Sequence, residues 1–261
     1  MGKVIAISTN KGGSGKTSLV TNIAGVIGLK KKVLIIDTDG QGNTSLAFGI
    51  NPNKLDPTIY DVLMGEAKPE EAIINVGHNV DILPANGDMD FFDIEVLTDL
   101  KKSAGNPFFL MKKALGSLSD KYDYIFIDTP PALGLVVGSV LVYADEVIVP
   151  FIPTLYDVKG LVRLLGTIED FKQKYNPNLS VRGVVGTMVE SRTTLHTEML
   201  EEAYKYCNSK GIKLYDNVIP RSIKFSAATA YDGKPAVWAE ANNPLVRSYF
   251  KLTREITKGD N

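Results

Sequence analysis

Eight residues near the start of the chain, Asn10-Lys11-Gly12-Gly13-Ser14-Gly15-Lys16-Thr17, restrict what it can fold into more than any other stretch. They lie between a short β-rich run, VIAIS at 4–8, and a segment of helical spacing at 16–30. Glycines between a buried strand and a helix let successive backbone N–H groups turn inward. The first turn of the helix adds partial positive charge, so the junction forms a cradle for phosphate. Lys16 supplies a point charge for terminal phosphates, and Thr17 offers the hydroxyl oxygen that Mg²⁺ needs. Lys11, Gly12, Gly13, Ser14, Gly15, Lys16, Thr17 and Ser18 are therefore the expected nucleotide-binding set, for a nucleoside triphosphate carried with Mg²⁺.

The rest of the chain supplies the scaffold that such a loop requires. β-rich runs recur at 4–8, 33–37, 80–83, 124–128, 146–150, 181–189 and 213–219, and helices are predicted at 16–30, 58–65, 108–119, 134–144, 157–175, 194–210 and 244–257. Several of the runs are continuously apolar, as strands covered on both faces are. The expected fold is α/β, a mainly parallel doubly wound sheet with helices on both faces, with ligands along the rim of strand carboxyl ends. No repeat, low-complexity tract or linker divides the 261 residues, which read as one domain, 1–261.

Charge and cysteine content narrow the function further. With 29 basic and 30 acidic side chains there is no global positive field, so any polyanion must meet a local patch. A single cysteine, Cys207, cannot make an internal disulfide, an iron–sulfur cluster or a structural zinc site, and a reducing cytoplasm is expected. The opening residues do not read as a secretory signal, and the apolar stretch 132–151 is broken by Asp145, Glu146 and two glycines, unlike a membrane span.

Carboxylates stand where a phosphate site needs them. The second run ends in Asp37-Thr38-Asp39-Gly40-Gln41-Gly42-Asn43, and the run YIFID ends in Asp128 before Thr129-Pro130-Pro131. Asp37 also suits a turn-holding role. Mg²⁺ keeps several waters and takes few protein oxygens, so Thr17 with a nearby carboxylate is a sufficient inventory.

The loop departs from the ordinary P-loop pattern, with Asn10 where a glycine is usual and a second lysine, Lys11, in KGGSGKT. In this it resembles the deviant P-loop ATPases that include ParA, MinD and the nitrogenase iron protein. Blocks along the whole chain, TIYDVLMGE at 58–66, YDYIFIDTPPALGL at 122–135, ADEVIVP at 144–150 and VIPRSIKFSAATAYDGKPA at 218–236 among them, resemble the ParA/Soj partition ATPases. The iron protein is excluded by its need for cluster cysteines.

The resemblance implies ATP and Mg²⁺ as cofactors, with Lys11, Lys16 and Asp39 catalytic. Lys11 would reach the phosphates of a partner subunit in an ATP-bound homodimer, Asp39 would orient the attacking water, and Asp37 and Asp128 would support the metal beside Thr17. Gly40 replaces the family's usual proline, which removes a fixed φ from that loop. Pro220 would edge the adenine pocket.

The resemblance also implies nonspecific binding of double-stranded DNA through Arg192, Arg221 and Lys224, with lysine at 224 where arginine is commoner, so without the bidentate fork. Residues 181–261 hold 12 basic and 9 acidic side chains, a modest surplus that agrees with this placement. A ParB-type centromere-binding partner and a cytoplasmic, nucleoid-associated location are implied too, and the absence of a helix-turn-helix before the first strand argues against operator binding.

A MinD-type reading, with the apolar and basic last helix as a membrane anchor, is the alternative. Core packing of Leu245, Val246, Tyr249, Phe250, Leu252 and Ile256 is expected instead. His78 and His196 make no metal set and are expected at the surface. Cys207 is expected to be half buried, and Trp238 has no evident stacking partner.

Overall fold

The computed structural model describes residues 2–98, 105–190, 193–222 and 232–260. The strands are β1 (Lys3–Ile7), β2 (Val33–Asp37), β3 (Ile74–Gly77), β4 (Val80–Leu83), β5 (Tyr124–Asp128), β6 (Glu146–Phe151) and β7 (Ser180–Gly186). They form one sheet in the order β3-β4-β2-β5-β1-β6-β7, parallel throughout except for the β3–β4 pair. The helices among the described residues are α1 (Lys16–Ile27), α2 (Asn43–Ala47), α3 (Ile59–Met64), α4 (Pro69–Ala72), α5 (Phe92–Thr98), α6 (Leu110–Leu115), α7 (Leu135–Tyr143), α8 (Leu155–Lys174), α9 (Thr194–Ser209), α10 (Ala236–Ala239) and α11 (Arg247–Ile256).

Continuous apolar strands produce two cores, because successive side chains leave opposite faces of the sheet. In β2, Leu34 and Ile36 join one core with residues of α3, α6, α7, α8 and α9. Val33 and Ile35 join the other, under α1, α10 and α11. The strand order is what builds the site. Inserting β5 between β1 and β2 pairs Ile7 with Asp128 on one side and Asp37 with Asp128 on the other. The phosphate loop and both buried aspartates therefore share one rim of the sheet.

Three stretches depart from the sequence reading. At 74–83 a hairpin of β3 and β4 stands where only a strand at 80–83 is expected: His78 and Asn79 both take positive φ, 48° and 56°, which is the two-residue turn that matches strand twist. Instead of a strand at 213–219 there are isolated parallel bridges, Val184 with Leu214 and Val189 with Pro220. Glu255 on α11 accepts the backbone N–H groups of Asp216 and Asn217, drawing that backbone out of a ladder. The helix expected at 108–119 is regular only over α6, flanked by 3-10 turns at 107–109 and 116–120.

The last helix packs into the core. Val246, Tyr249, Leu252 and Ile256 are buried beside α1, Phe250 packs against them, and Leu245 is exposed. Trp238 does have partners: its ring lies 4.8 Å from that of His78 and 5.5 Å from that of Phe48, and its Nε1 donates to Gly25 O at 3.0 Å. His78 is exposed. Cys207 is fully buried rather than half buried, and burial pushes its thiol up to about 11. Because the thiolate is the reactive form, a maleimide at pH 7.5 is expected to leave the native protein unlabelled and to modify it once in denaturant. Native-state labelling within minutes would place Cys207 at the surface.

Candidate nucleotide site

The loop between β1 and α1 turns on two glycines in the left-handed region, Gly13 at φ 70° and Gly15 at φ 80°. Gly12 keeps an ordinary φ and has open space around it. Gly15 is the N-cap of α1 and carries no side chain that could satisfy the first amides, so those donors stay open to a ligand. The loop borders a cleft of about 1190 Å³. Gly12, Gly13, Ser14, Gly15, Lys16, Thr17 and Ser18 line it, with Asp39, Gln41 and Asn43 across from them and Met188, Asp232 and Gly233 at another edge.

Lys16 is buried, and its Nζ lies 3.4 Å from Lys11 O. Burial lowers its pKa, while Asp128 and Asp39 act in the opposite sense. Thr17 donates to Asp128 Oδ2 at 2.5 Å, and Thr44 donates to the same oxygen at 3.2 Å. Burial raises the pKa of Asp128 to about 6 against the stabilising Thr17 hydroxyl and Lys16. Its Oδ1 is buried without a hydrogen-bond partner. An orphaned carboxylate oxygen beside a threonine hydroxyl fits a divalent cation. Among the described residues no group of three His, Cys, Asp or Glu could hold a metal alone, so such a cation would take further oxygens from nucleotide and water.

Asp37 has a different environment. Both its oxygens accept backbone N–H groups of the next loop, Oδ1 from Asp39 and Oδ2 from Thr44, each at 3.0 Å. Its pKa is pushed well up by burial and then by neighbouring Asp128, and those two amides oppose the shift. In this structure Asp37 holds the loop that carries Asp39. Asp39 itself is half buried in the cleft wall, where its Oδ1 accepts Gln41 N–H at 3.1 Å.

Two expected residues lie away from the cleft. Lys11 points to α8, where its Nζ pairs with Asp157 Oδ2 at 2.7 Å, and Thr154 donates to that oxygen too. Pro220 bridges to Val189 and is not part of the cleft wall. Met188, at φ 51°, lines the cleft and had no sequence signal beyond its place after a strand. Of the expected DNA-binding residues, Arg221 is exposed and pairs with Glu190 at 3.0 Å. Arg192 and Lys224 lie outside the described residues.

Comparison with known proteins agrees with this geometry. A family model described as an AAA domain, AAA_31, matches residues 2–181. The sporulation initiation inhibitor protein Soj of Bacillus subtilis is 33% identical over 258 residues, 98% of each chain. A solved cobyrinic acid a,c-diamide synthase from Mycobacterium smegmatis, bound to an ATP analogue and magnesium, superimposes with a TM-score of 0.84 at 27% identity, covering 99% of this chain and 95% of that one. The septum site-determining protein MinD of Pyrococcus horikoshii, complexed with Mg-ADP, does so with a TM-score of 0.78 at 26% identity, over 99% and 97%. A P-loop sheet with its glycine cradle intact, and a sequence one third identical to Soj from end to end, mean that this chain belongs to the ParA/Soj family of partition ATPases.

Proposed function

We propose that this chain is a Mg²⁺-dependent ATPase that dimerises around ATP, binds double-stranded DNA without sequence preference in that state, and drives plasmid or chromosome partition with a ParB-type partner. The observation that carries the reading is the convergence of Lys16, Thr17 and Asp39 on one cleft at an open helix N-terminus, with buried Asp128 bonded to Thr17. In it, the amides of 13–17 and Lys16 bind the phosphates, Thr17 and Asp128 hold Mg²⁺, and Asp39 orients the attacking water. The metal supplies charge neutralisation on the phosphates. Asp37 acts through the loop whose amides it binds. Lys11, 46% exposed, leaves Asp157 to reach a partner's nucleotide, so transition-state charge is met only in the dimer.

Arg192, Arg221 and Lys224 carry the DNA binding, doubled by dimerisation, and the protein works in the cytoplasm on the nucleoid. The membrane alternative would require the apolar side of α11, which is spent on the core. No helix among the described residues is long and apolar enough to cross a membrane.

Retention of the protein on a random-sequence duplex is the test, with ATP, ADP or no nucleotide, and with liposome sedimentation alongside. ATP-specific retention is expected. With about six phosphate contacts per dimer, affinity should fall roughly a thousandfold between about 50 and 200 mM salt. Arg192→Ala or Lys224→Ala should weaken it while sparing dimerisation. Lipid pelleting without DNA retention would overturn the partition reading in favour of a membrane-positioning ATPase.

A further inference from the structure

The loop that follows Asp128 is held from outside the nucleotide cleft. At its start Thr129 Oγ1 donates to Ile7 O at 2.9 Å, fixing it to β1. Its far end becomes α7, whose N-cap is Gly134, a residue with no side chain to satisfy the first amides. Asp93, on α5 and some forty residues earlier, does so instead: Oδ2 accepts Leu135 N–H at 2.9 Å and Oδ1 accepts Val136 N–H at 3.2 Å. A helix N-terminus favours a carboxylate in this position through both hydrogen bonds and dipole.

Gly134 is bound to that arrangement. Its φ of −105° and ψ of −165° are open to any residue, so backbone conformation does not demand glycine. Space does: a Cβ at 134 would collide with Asp93 Oδ2. α5 is itself anchored by buried Phe92 and Val96 and by Tyr60, which donates to Glu95. One turn earlier Asp90 lies against Gly40, where a Cβ would collide with its carboxylate. The segment 87–98 thus abuts both loops that reach the site, the one carrying Asp39 and the one leaving Asp128, whose Pro131 lines the cleft.

The geometry points to Asp93 as a positioning residue, which caps α7 across the fold and thereby sets the 129–134 loop over the nucleotide. This rests on the ATPase reading above. Asp93 touches neither nucleotide nor metal site, so its loss should act on the organisation of the loop and not on the phosphate cradle.

The test compares wild type, Asp93→Ala, Asp93→Asn and Gly134→Ala in DNA-stimulated ATP turnover, Mg-ADP affinity, thermal midpoint and amide exchange at Leu135 and Val136. Asp93→Ala is expected to lower kcat between about tenfold and a hundredfold, the scale of a small misplacement of reacting groups, with Mg-ADP affinity within about twofold. Gly134→Ala, which displaces the carboxylate, should reproduce that profile. Asp93→Asn, which keeps one acceptor oxygen, should recover much of kcat. Exchange at the two amides should rise in Asp93→Ala and Gly134→Ala at temperatures where both are folded.

Unchanged kcat in Asp93→Ala would overturn the proposal. So would a fall in kcat matched by an equal loss of nucleotide affinity, which marks general destabilisation. Absence of turnover in the wild type would instead sink the ATPase reading, and the exchange measurements would then decide the tether by themselves: unaltered protection at Leu135 and Val136 would remove it.

Discussion

Lys16→Ala is expected to remove most of the nucleotide affinity while leaving the chain folded. The ammonium is buried within the glycine loop, and its one hydrogen bond among the described residues is a long contact with Lys11 O. Burial disfavours its charge and lowers its pKa, and the opposing pull of Asp128 and Asp39 offsets that only in part. Its counterpart is a ligand of opposite charge. Removing one partner of a desolvated charge pair costs about 2 to 5 kcal/mol, so affinity for ATP and ADP should fall between about thirtyfold and several thousandfold. Calorimetric titration of Mg-ADP into the variant reads this directly. The thermal midpoint without nucleotide should stay near that of wild type, and the rise that Mg-ADP gives the wild type should vanish. Affinity within a few-fold of wild type would show that the cradle's amides carry the binding and that Lys16 is a loop residue.

The difference between what the sequence disclosed and what it hid follows from distance along the chain. Residues 10–18 declare their chemistry because the strand, the glycine turn and the helix N-terminus are contiguous, and the structure adds only that Gly13 and Gly15, not Gly12, need the left-handed region. The meeting of Thr17 with Asp128 spans 111 residues; a parallel sheet brings strand carboxyl ends to one rim, but it is the family resemblance that singles out Asp128 among the acids there. The bond from Lys11 to Asp157 and the cap from Asp93 to α7 were not legible in the sequence. Neither spacing nor periodicity links α8 to the loop or α5 to the start of α7, and an acidic residue early in a short helix reads as an ordinary first-turn charge. The missing strand at 213–219 failed for a related reason. Its apolar pattern is real, but Glu255, far along the chain, competes for the backbone donors of Asp216 and Asn217.

The counterpart of Lys16→Ala is Asp39→Ala, which should keep nucleotide and lose turnover. Asp39 lies in the cleft wall without a hydrogen bond to the glycine loop, and Asp37 fixes its backbone through two hydrogen bonds of 3.0 Å to the amides of Asp39 and Thr44. Those bonds belong to the backbone, so truncating the Asp39 side chain leaves the loop where it is and removes one oxygen pair facing the cleft. The bond lost is the local one to Gln41 N–H. A residue that orients a nucleophile contributes about a hundredfold or more to the rate, and ATP hydrolysis should fall by that factor while Mg-ATP affinity changes little. Deleting a negative charge near Lys16 also favours an anionic ligand. If hydrolysis is what releases the dimer from DNA, Asp39→Ala with ATP should then remain on a duplex through a salt-matched wash that strips the wild type within its turnover time, and ADP should not substitute. Turnover at the basal wild-type level would make Asp39 a loop residue and this chain a nucleotide-gated binding module, whose DNA release depends on nucleotide exchange alone.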